Sequence, residues 1–213
     1  MTELTLSAVT KAYGRKSVLA GVDATFPAGL TLLVGPSGAG KSTLLRIIAT
    51  AEKPQSGTIC WNGAPMPGAR QTLRQVLGYA PQAVELPEEL TAREFALHIA
   101  ALKGLDTAEA DLQFGAITAA IGLHDDINRR IAGYSGGMRR RLIFAQALLG
   151  DPQLIALDEP TAELDHESAA AVSALLLERA RRAVVVMTTH LADQLAPQAV
   201  QVLRIADGKT SKA

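Results

Sequence analysis

The sequence predicts an α/β fold built on a parallel sheet. Three observations predict it. Short apolar runs stand at 30–34, 154–157 and 183–187, helix-like stretches separate them, and a glycine-rich loop at 35–43 joins one such run to one such stretch. Nearly continuous apolar runs suit strands buried on both faces of a parallel sheet, and their alternation with helices is the α/β pattern.

The elements follow in order. Leu4, Leu6 and Ala8 alternate with Thr5 and Ser7, which predicts a strand with one buried face. A second strand is expected at 18–26, ended by Pro27-Ala28-Gly29, and a third at 30–34, followed by a helix at 43–49. Thr91 and Glu94 form a capping box that opens a helix over 91–102. Further helices are predicted at 108–122, 138–149 and 168–182, and a last strand at 200–205 before a turn at Asp207-Gly208. No internal repeat, low-complexity stretch or linker divides the 213 residues, so one domain is expected.

Composition narrows the function. The chain is 48% hydrophobic and 20% charged, an ordinary globular balance. Lys and Arg number 21, as do Asp and Glu, so the net charge is zero and nothing favours a nucleic-acid partner. The run Arg139-Arg140-Arg141 fans around a helix and reads as a solvated surface. Cys60 is the single cysteine, which excludes an internal disulfide and a metal cluster built on cysteine pairs. The start carries no basic segment or apolar signal core, and no apolar run approaches the roughly 18 residues that cross a bilayer. The expectation is a cytoplasmic chain that does not itself span a membrane.

The loop Gly35-Pro36-Ser37-Gly38-Ala39-Gly40-Lys41-Ser42-Thr43 follows a strand and opens a helix, the setting a phosphate loop requires. Glycines let successive N–H groups turn inward on phosphate oxygens, and the helix adds its positive end. Lys41 is then a point charge for the β- and γ-phosphates, and the Ser42 hydroxyl a ligand for Mg²⁺. By itself the loop leaves kinases, GTPases and many ATPases open. The run 154–157 leads into Asp158-Glu159. At the carboxyl edge of a sheet, where ligands sit, Asp158 would hold Mg²⁺ and Glu159 would act as general base on the attacking water. Alone, such a pair could equally be surface acids at a strand end. The two asparagines, Asn62 and Asn128, do not begin the Asn-Lys-x-Asp segment that reads guanine in many GTPases. Ser135-Gly136-Gly137 opens a helix and forms a second anion cradle. One γ-phosphate does not need two cradles from one chain, so the second fits a nucleotide held mainly by another chain.

On these residues the chain resembles the nucleotide-binding subunits of ABC transporters, over nearly its whole length and in family order. Tyr13 lies where that family stacks an aromatic on adenine. Residues 35–43 match the Walker A loop, and Gln82, in Tyr79-Ala80-Pro81-Gln82, matches the Q-loop. Tyr134-Ser135-Gly136-Gly137-Met138 matches the signature, with Tyr134 and Met138 in place of the usual Leu and Gln. Residues 154–159 match Walker B with its catalytic glutamate, Ala162-Glu163-Leu164-Asp165 the D-loop, with Glu163 where a small residue is usual, and His190 the switch histidine.

The resemblance implies a phosphate-loop NTPase core at about 1–82 and 150–213, with an N-terminal antiparallel β subdomain, and an inserted helical subdomain at about 83–149. It implies ATP and Mg²⁺ as cofactors, the metal on Ser42, Gln82 and Asp158, and catalysis by Glu159, His190, Lys41 and Gln82. It also implies a head-to-tail cassette dimer in which Ser135, Gly136 and Gly137 act in trans and Asp165 lies at the interface. The membrane partner would be a separate integral subunit, contacted from its cytoplasmic face. Two other readings stay open: a soluble cassette ATPase acting on a macromolecular assembly, and a different phosphate-loop enzyme such as a small-molecule kinase.

Overall fold

A computed structural model describes residues 2–212. The chain opens with β1 (Glu3–Tyr13), β2 (Lys16–Pro27) and β3 (Gly29–Val34), then α1 (Lys41–Ile48), β4 (Ser56–Trp61), β5 (Ala64–Pro65), α2 (Arg70–Gln75) and β6 (Leu77–Ala80). A helical stretch follows: α3 (Ala92–Leu102), α4 (Thr107–Ala120) and α5 (Gly136–Ala147). The chain then returns through β7 (Leu154–Asp158), α6 (His166–Ala180), β8 (Val184–Thr188), α7 (Ala192–Leu195), β9 (Gln201–Ala206) and β10 (Lys209–Lys212).

Two sheets result. One has four strands in the order β2-β1-β4-β5, paired antiparallel. The other has six, in the order β10-β9-β3-β8-β7-β6. From β9 to β6 its neighbours run parallel, but β10 is antiparallel to β9, so the sheet is mixed rather than wholly parallel. The cause is the two-residue turn at Asp207-Gly208, where both φ values are positive, at 48° and 72°. Such a turn can only fold a strand back on its neighbour.

Why the central runs are apolar throughout is visible in where their side chains go. Leu154 and Ala156 pack into the core beneath β1, β2 and α1, whereas Ile155 and Leu157 pack into the core beneath α5 and α6. Val184 and Val186 divide from Val185 and Met187 in the same way. Alternate residues of a strand point to opposite faces, so both faces must be apolar when both are covered.

Several local differences from the sequence expectations have physical causes. In β1 the expected inward set Leu4, Leu6, Ala8 slips by one residue: Ala8 is exposed and Val9 is buried. A bulge with Ala8 at φ 49° takes up the slip, and the Asp23 carboxylate accepts the freed Ala8 N–H at 2.8 Å. Helices α5 and α6 each begin two residues earlier than expected. Ser135 and Asp165 serve as N-caps, accepting from the N–H groups of Met138 and Ser168. The capping box of Thr91 and Glu94 is formed as expected. Strand β6 shows no continuous apolar run, because Gly78 interrupts it. Its Gly78 lies so close to α5 that a side-chain carbon there would overlap the Ala147 carbonyl.

The arginine run is not a solvated face. Arg139 Nη2 donates to Glu88 Oε1 at 2.7 Å, Arg140 Nη1 to the Gln82 carbonyl at 2.5 Å, and Arg141 Nη1 to the Gly122 carbonyl at 2.7 Å. Three consecutive arginines thus fasten α5 to three different segments. Each partner lies 19 residues or more away in the chain, which no local pattern reveals.

Candidate functional site

The phosphate loop hangs between the end of β3 and the start of α1. Gly35 has φ 145° and lies against β9, where a side-chain carbon would overlap the Ile205 carbonyl. Gly40, at φ 103°, caps α1 with no side chain over the helix end, and the first turn carries no acidic residue. The positive end of α1 and its free N–H groups therefore face outward for an anion. Lys41 Nζ donates to the carbonyls of Gly35 at 2.8 Å and Pro36 at 3.0 Å, so the lysine lies along the loop rim.

In front of the loop is a cleft of about 920 Å³. Gly35, Ser37, Gly38, Gly40, Lys41, Ser42 and Thr43 line one side, and Gln82, Asp158, Glu159 and His190 line the other. Pro36 and Ala39 shape the loop without lining the cleft: the Pro36 carbonyl accepts the Ala39 N–H at 3.3 Å, and Ala39 packs on the core. The sequence stretches 35–43, 82, 158–159 and 190 thus converge on one place.

The acid pair is held by a residue the sequence reading passed over. Thr188 stands opposite Asp158 across the parallel β7–β8 pairing. It is fully buried, and its hydroxyl donates to Asp158 Oδ1 at 2.6 Å. The same oxygen accepts the Glu159 N–H at 3.0 Å. Glu159 needs that support, because its backbone is left-handed at φ 54°, which a non-glycine residue rarely adopts. Its carboxylate is buried. Oε1 lies 3.5 Å from His190 Nε2, while Oε2 has no partner among the described residues. The His190 side chain is 85% exposed, at the lip of the cleft. The signal for Thr188 in the sequence is Thr188-Thr189-His190, a polar end to an apolar strand. Val18, Thr189 and Asp193 also line the cleft and were not anticipated.

Ser42, Gln82 and Asp158 offer a hydroxyl, an amide and a carboxylate around this cleft. Such hard oxygen donors suit Mg²⁺. No group of three or more His, Cys, Asp or Glu able to hold a metal occurs among the described residues.

Tyr13 is not brought into the cleft. It is 44% exposed, and its hydroxyl donates to both oxygens of Glu52 at 2.6 and 2.7 Å. Lys11 Nζ sits 5.5 Å over its ring and 2.8 Å from Glu52 Oε1. Burial alone would raise the Glu52 carboxyl, but hydrogen bonds from Lys11, Tyr13 and Arg46 outweigh it and hold the group below its ordinary value. Ser135, Gly136 and Gly137 begin α5 and do not line the cleft of their own chain. Asp165 is likewise outside it, accepting from Ser168 N–H and Oγ, both at 2.8 Å. Tyr134 is a core residue here: its hydroxyl donates to the Asp126 carbonyl at 2.8 Å, and burial pushes its phenol up to about 12.

The family profile described as ABC transporter matches residues 19–162. That span holds the phosphate loop, Gln82, the Ser135 cradle and the acid pair, and leaves out Tyr13, Asp165 and His190. The chain is 37% identical over 195 residues to the Nod factor export ATP-binding protein I of Rhizobium meliloti, covering 89% of this chain and 57% of that protein. It is 35% identical over 179 residues to an uncharacterized ABC transporter ATP-binding protein of Bacillus subtilis, covering 84% of this chain and 59% of that one. The chain therefore spans less than two thirds of the length of these curated relatives. Among solved structures, a dimeric bacterial ABC transporter cassette aligns over 98% of both chains with a TM-score of 0.88 and 26% identity. A post-hydrolysis state of that cassette, bound to ADP and Pi, aligns with a TM-score of 0.87 at the same identity.

Proposed function

Because the chain belongs to the ABC transporter family of ATP-binding cassettes, we propose that it binds ATP with Mg²⁺ and hydrolyses it to drive transport through a separate membrane-spanning subunit. The observation that carries the hydrolytic part is Glu159: a buried carboxylate with one unpartnered oxygen, held beside the cleft by a strained backbone and by Thr188. An unpaired buried acceptor is costly and calls for a partner, and a water that gives up its proton is such a partner.

In this reading residues 35–43 wrap the phosphates. Lys41 exchanges its bonds to the Gly35 and Pro36 carbonyls for the β- and γ-phosphate oxygens. Ser42, Gln82 and Asp158 would hold Mg²⁺, which when bound neutralises charge on the phosphates. Glu159 takes a proton from water as the water oxygen attacks the γ-phosphorus, and the bond to the β-phosphate oxygen breaks, leaving ADP and phosphate. His190 steadies the transferred group from the lip of the cleft. Tyr13 would have to turn from Glu52 to stack on the base.

Ser135, Gly136 and Gly137, which do not line their own cleft, cap the nucleotide of a second copy in a head-to-tail dimer, with Asp165 at the seam. Residues 83–149 act as a helical subdomain on a core made of 1–82 and 150–213. The Rhizobium meliloti relative is an export ATP-binding protein by name, and no helix among the described residues is long and apolar enough to cross a membrane. The cassette would therefore work at the cytoplasmic face, against a multi-spanning partner that selects the cargo.

The test is steady-state hydrolysis beside equilibrium binding. Glu159→Gln is expected to keep MgATP binding and lose about 10²–10⁴ in turnover, the usual worth of a general base. Turnover within threefold of the parent chain would remove Glu159 from that role.

A further inference from the structure

Gln82 is the least supported residue of the cleft. It lies two positions beyond the end of β6, on exposed chain with no regular structure. Among the described residues a single hydrogen bond holds it, the one its carbonyl accepts from Arg140 Nη1 at 2.5 Å. The neighbouring ties from α5 differ in kind. Gln146 Nε2 donates to the Tyr79 carbonyl at 2.7 Å, on a strand the sheet already fixes. Arg139 pairs with Glu88 at the surface, where ion pairs are worth little. Among the described residues Arg140 alone reaches Gln82 itself, with a charged donor, which makes the stronger class of hydrogen bond.

We propose that Arg140 is the positioning residue for Gln82, fixing its backbone so that the amide meets the metal and the attacking water. Arg140 sits on the helix whose first residues are Ser135, Gly136 and Gly137. A shift of α5 as those residues meet a partner's nucleotide is thereby passed to Gln82 through one bond. This rests on the reading of Gln82 as a metal ligand given above.

The experiment is a double-mutant cycle on the full chain loaded with a non-hydrolysable ATP analogue, reading Mn²⁺ affinity by electron paramagnetic resonance. Arg140→Met keeps the apolar stem and removes the donor, which separates lost positioning from lost packing. It should weaken Mn²⁺ binding about tenfold, with analogue affinity measured without metal within twofold. Gln82→Ala should cost about as much, and the double variant no more than twice either single one. Arg140→Lys should recover most of the loss, and Arg139→Ala should change Mn²⁺ affinity less than twofold. Unchanged Mn²⁺ affinity in Arg140→Met, or losses that multiply in the double variant, would overturn the proposal. A parent chain that takes up no analogue at all would instead overturn the nucleotide reading on which it stands.

Discussion

At Glu159 the backbone sits at φ 54°, a conformation that costs a non-glycine residue on the order of 1 kcal/mol or more. Thr188 holds it there with two acceptors, its carbonyl at 3.2 Å and its hydroxyl at 3.0 Å from the Glu159 N–H. The same hydroxyl satisfies Asp158, which is 4% exposed. Thr188→Val keeps the shape and removes the shared hydrogen bonds. It is expected to lower unfolding free energy by about 2 kcal/mol, the range for bonds to a buried charged group, and to lower ATP turnover. A denaturation midpoint and slope equal to those of the parent chain would show that Thr188 does not carry the pair. This residue also marks the limit of the sequence. Lys41, Ser42 and the glycines were legible because their meaning lies within nine residues of one another. Thr188 was not, because its partners stand about 30 residues away and meet it only through strand register. Tyr13 was legible only as a position. That its hydroxyl goes to Glu52 depends on Lys11 and Arg46 as well.

Among the elements, helix caps were partly readable and helix attachments were not. Thr91 and Glu94 declared α3 because a capping box is local. Ser135 is legible at a helix start and Asp165 is not legible as a cap, and their capping places the starts of α5 and α6 two residues N-terminal to the apolar pattern. What holds the helical stretch in place is tertiary: Arg140 to Gln82 and Gln146 to Tyr79 tie it toward the sheet, and Lys103 at the end of α3, whose Nζ donates to the Leu149 carbonyl at 2.7 Å, ties α3 to the chain just after α5. Burial lowers the Lys103 ammonium from 10.5 to about 8. The folded chain thus holds this proton less tightly than the unfolded one. Below pH 8 the lysine is charged in both states and the penalty of burying it is present in full. Between pH 8 and 10.5 the folded state has released the proton and the unfolded state has not, so stability rises with pH, by a total of about 3 kcal/mol. Unfolding free energies of the parent chain and of Lys103→Met, measured from pH 7 to 10.5, check this. The parent chain should gain stability relative to Lys103→Met as pH rises, and parallel curves would contradict it.

For the whole molecule, the alternation of apolar runs and helices was enough to predict an α/β core, because burial on both sheet faces leaves a continuous apolar signature. The antiparallel β10 edge, the bulge at Ala8 and the short β6 left no comparable trace, since each is decided by a turn or a contact rather than by a pattern. The division of labour across the site belongs to this scale too. One half of the machinery, residues 35–43 with Asp158 and Glu159, faces the cleft, and the other half, Ser135 to Gly137, faces elsewhere. In the proposed dimer, such a chain completes its site against a second copy. Sedimentation velocity of Glu159→Gln, with and without saturating MgATP, measures this directly. The account predicts a monomer without nucleotide and a species of twice the mass with it, collapsing to monomer when Lys41→Ala is added. A monomer that persists while MgATP is shown by calorimetry to fill the cleft would contradict it.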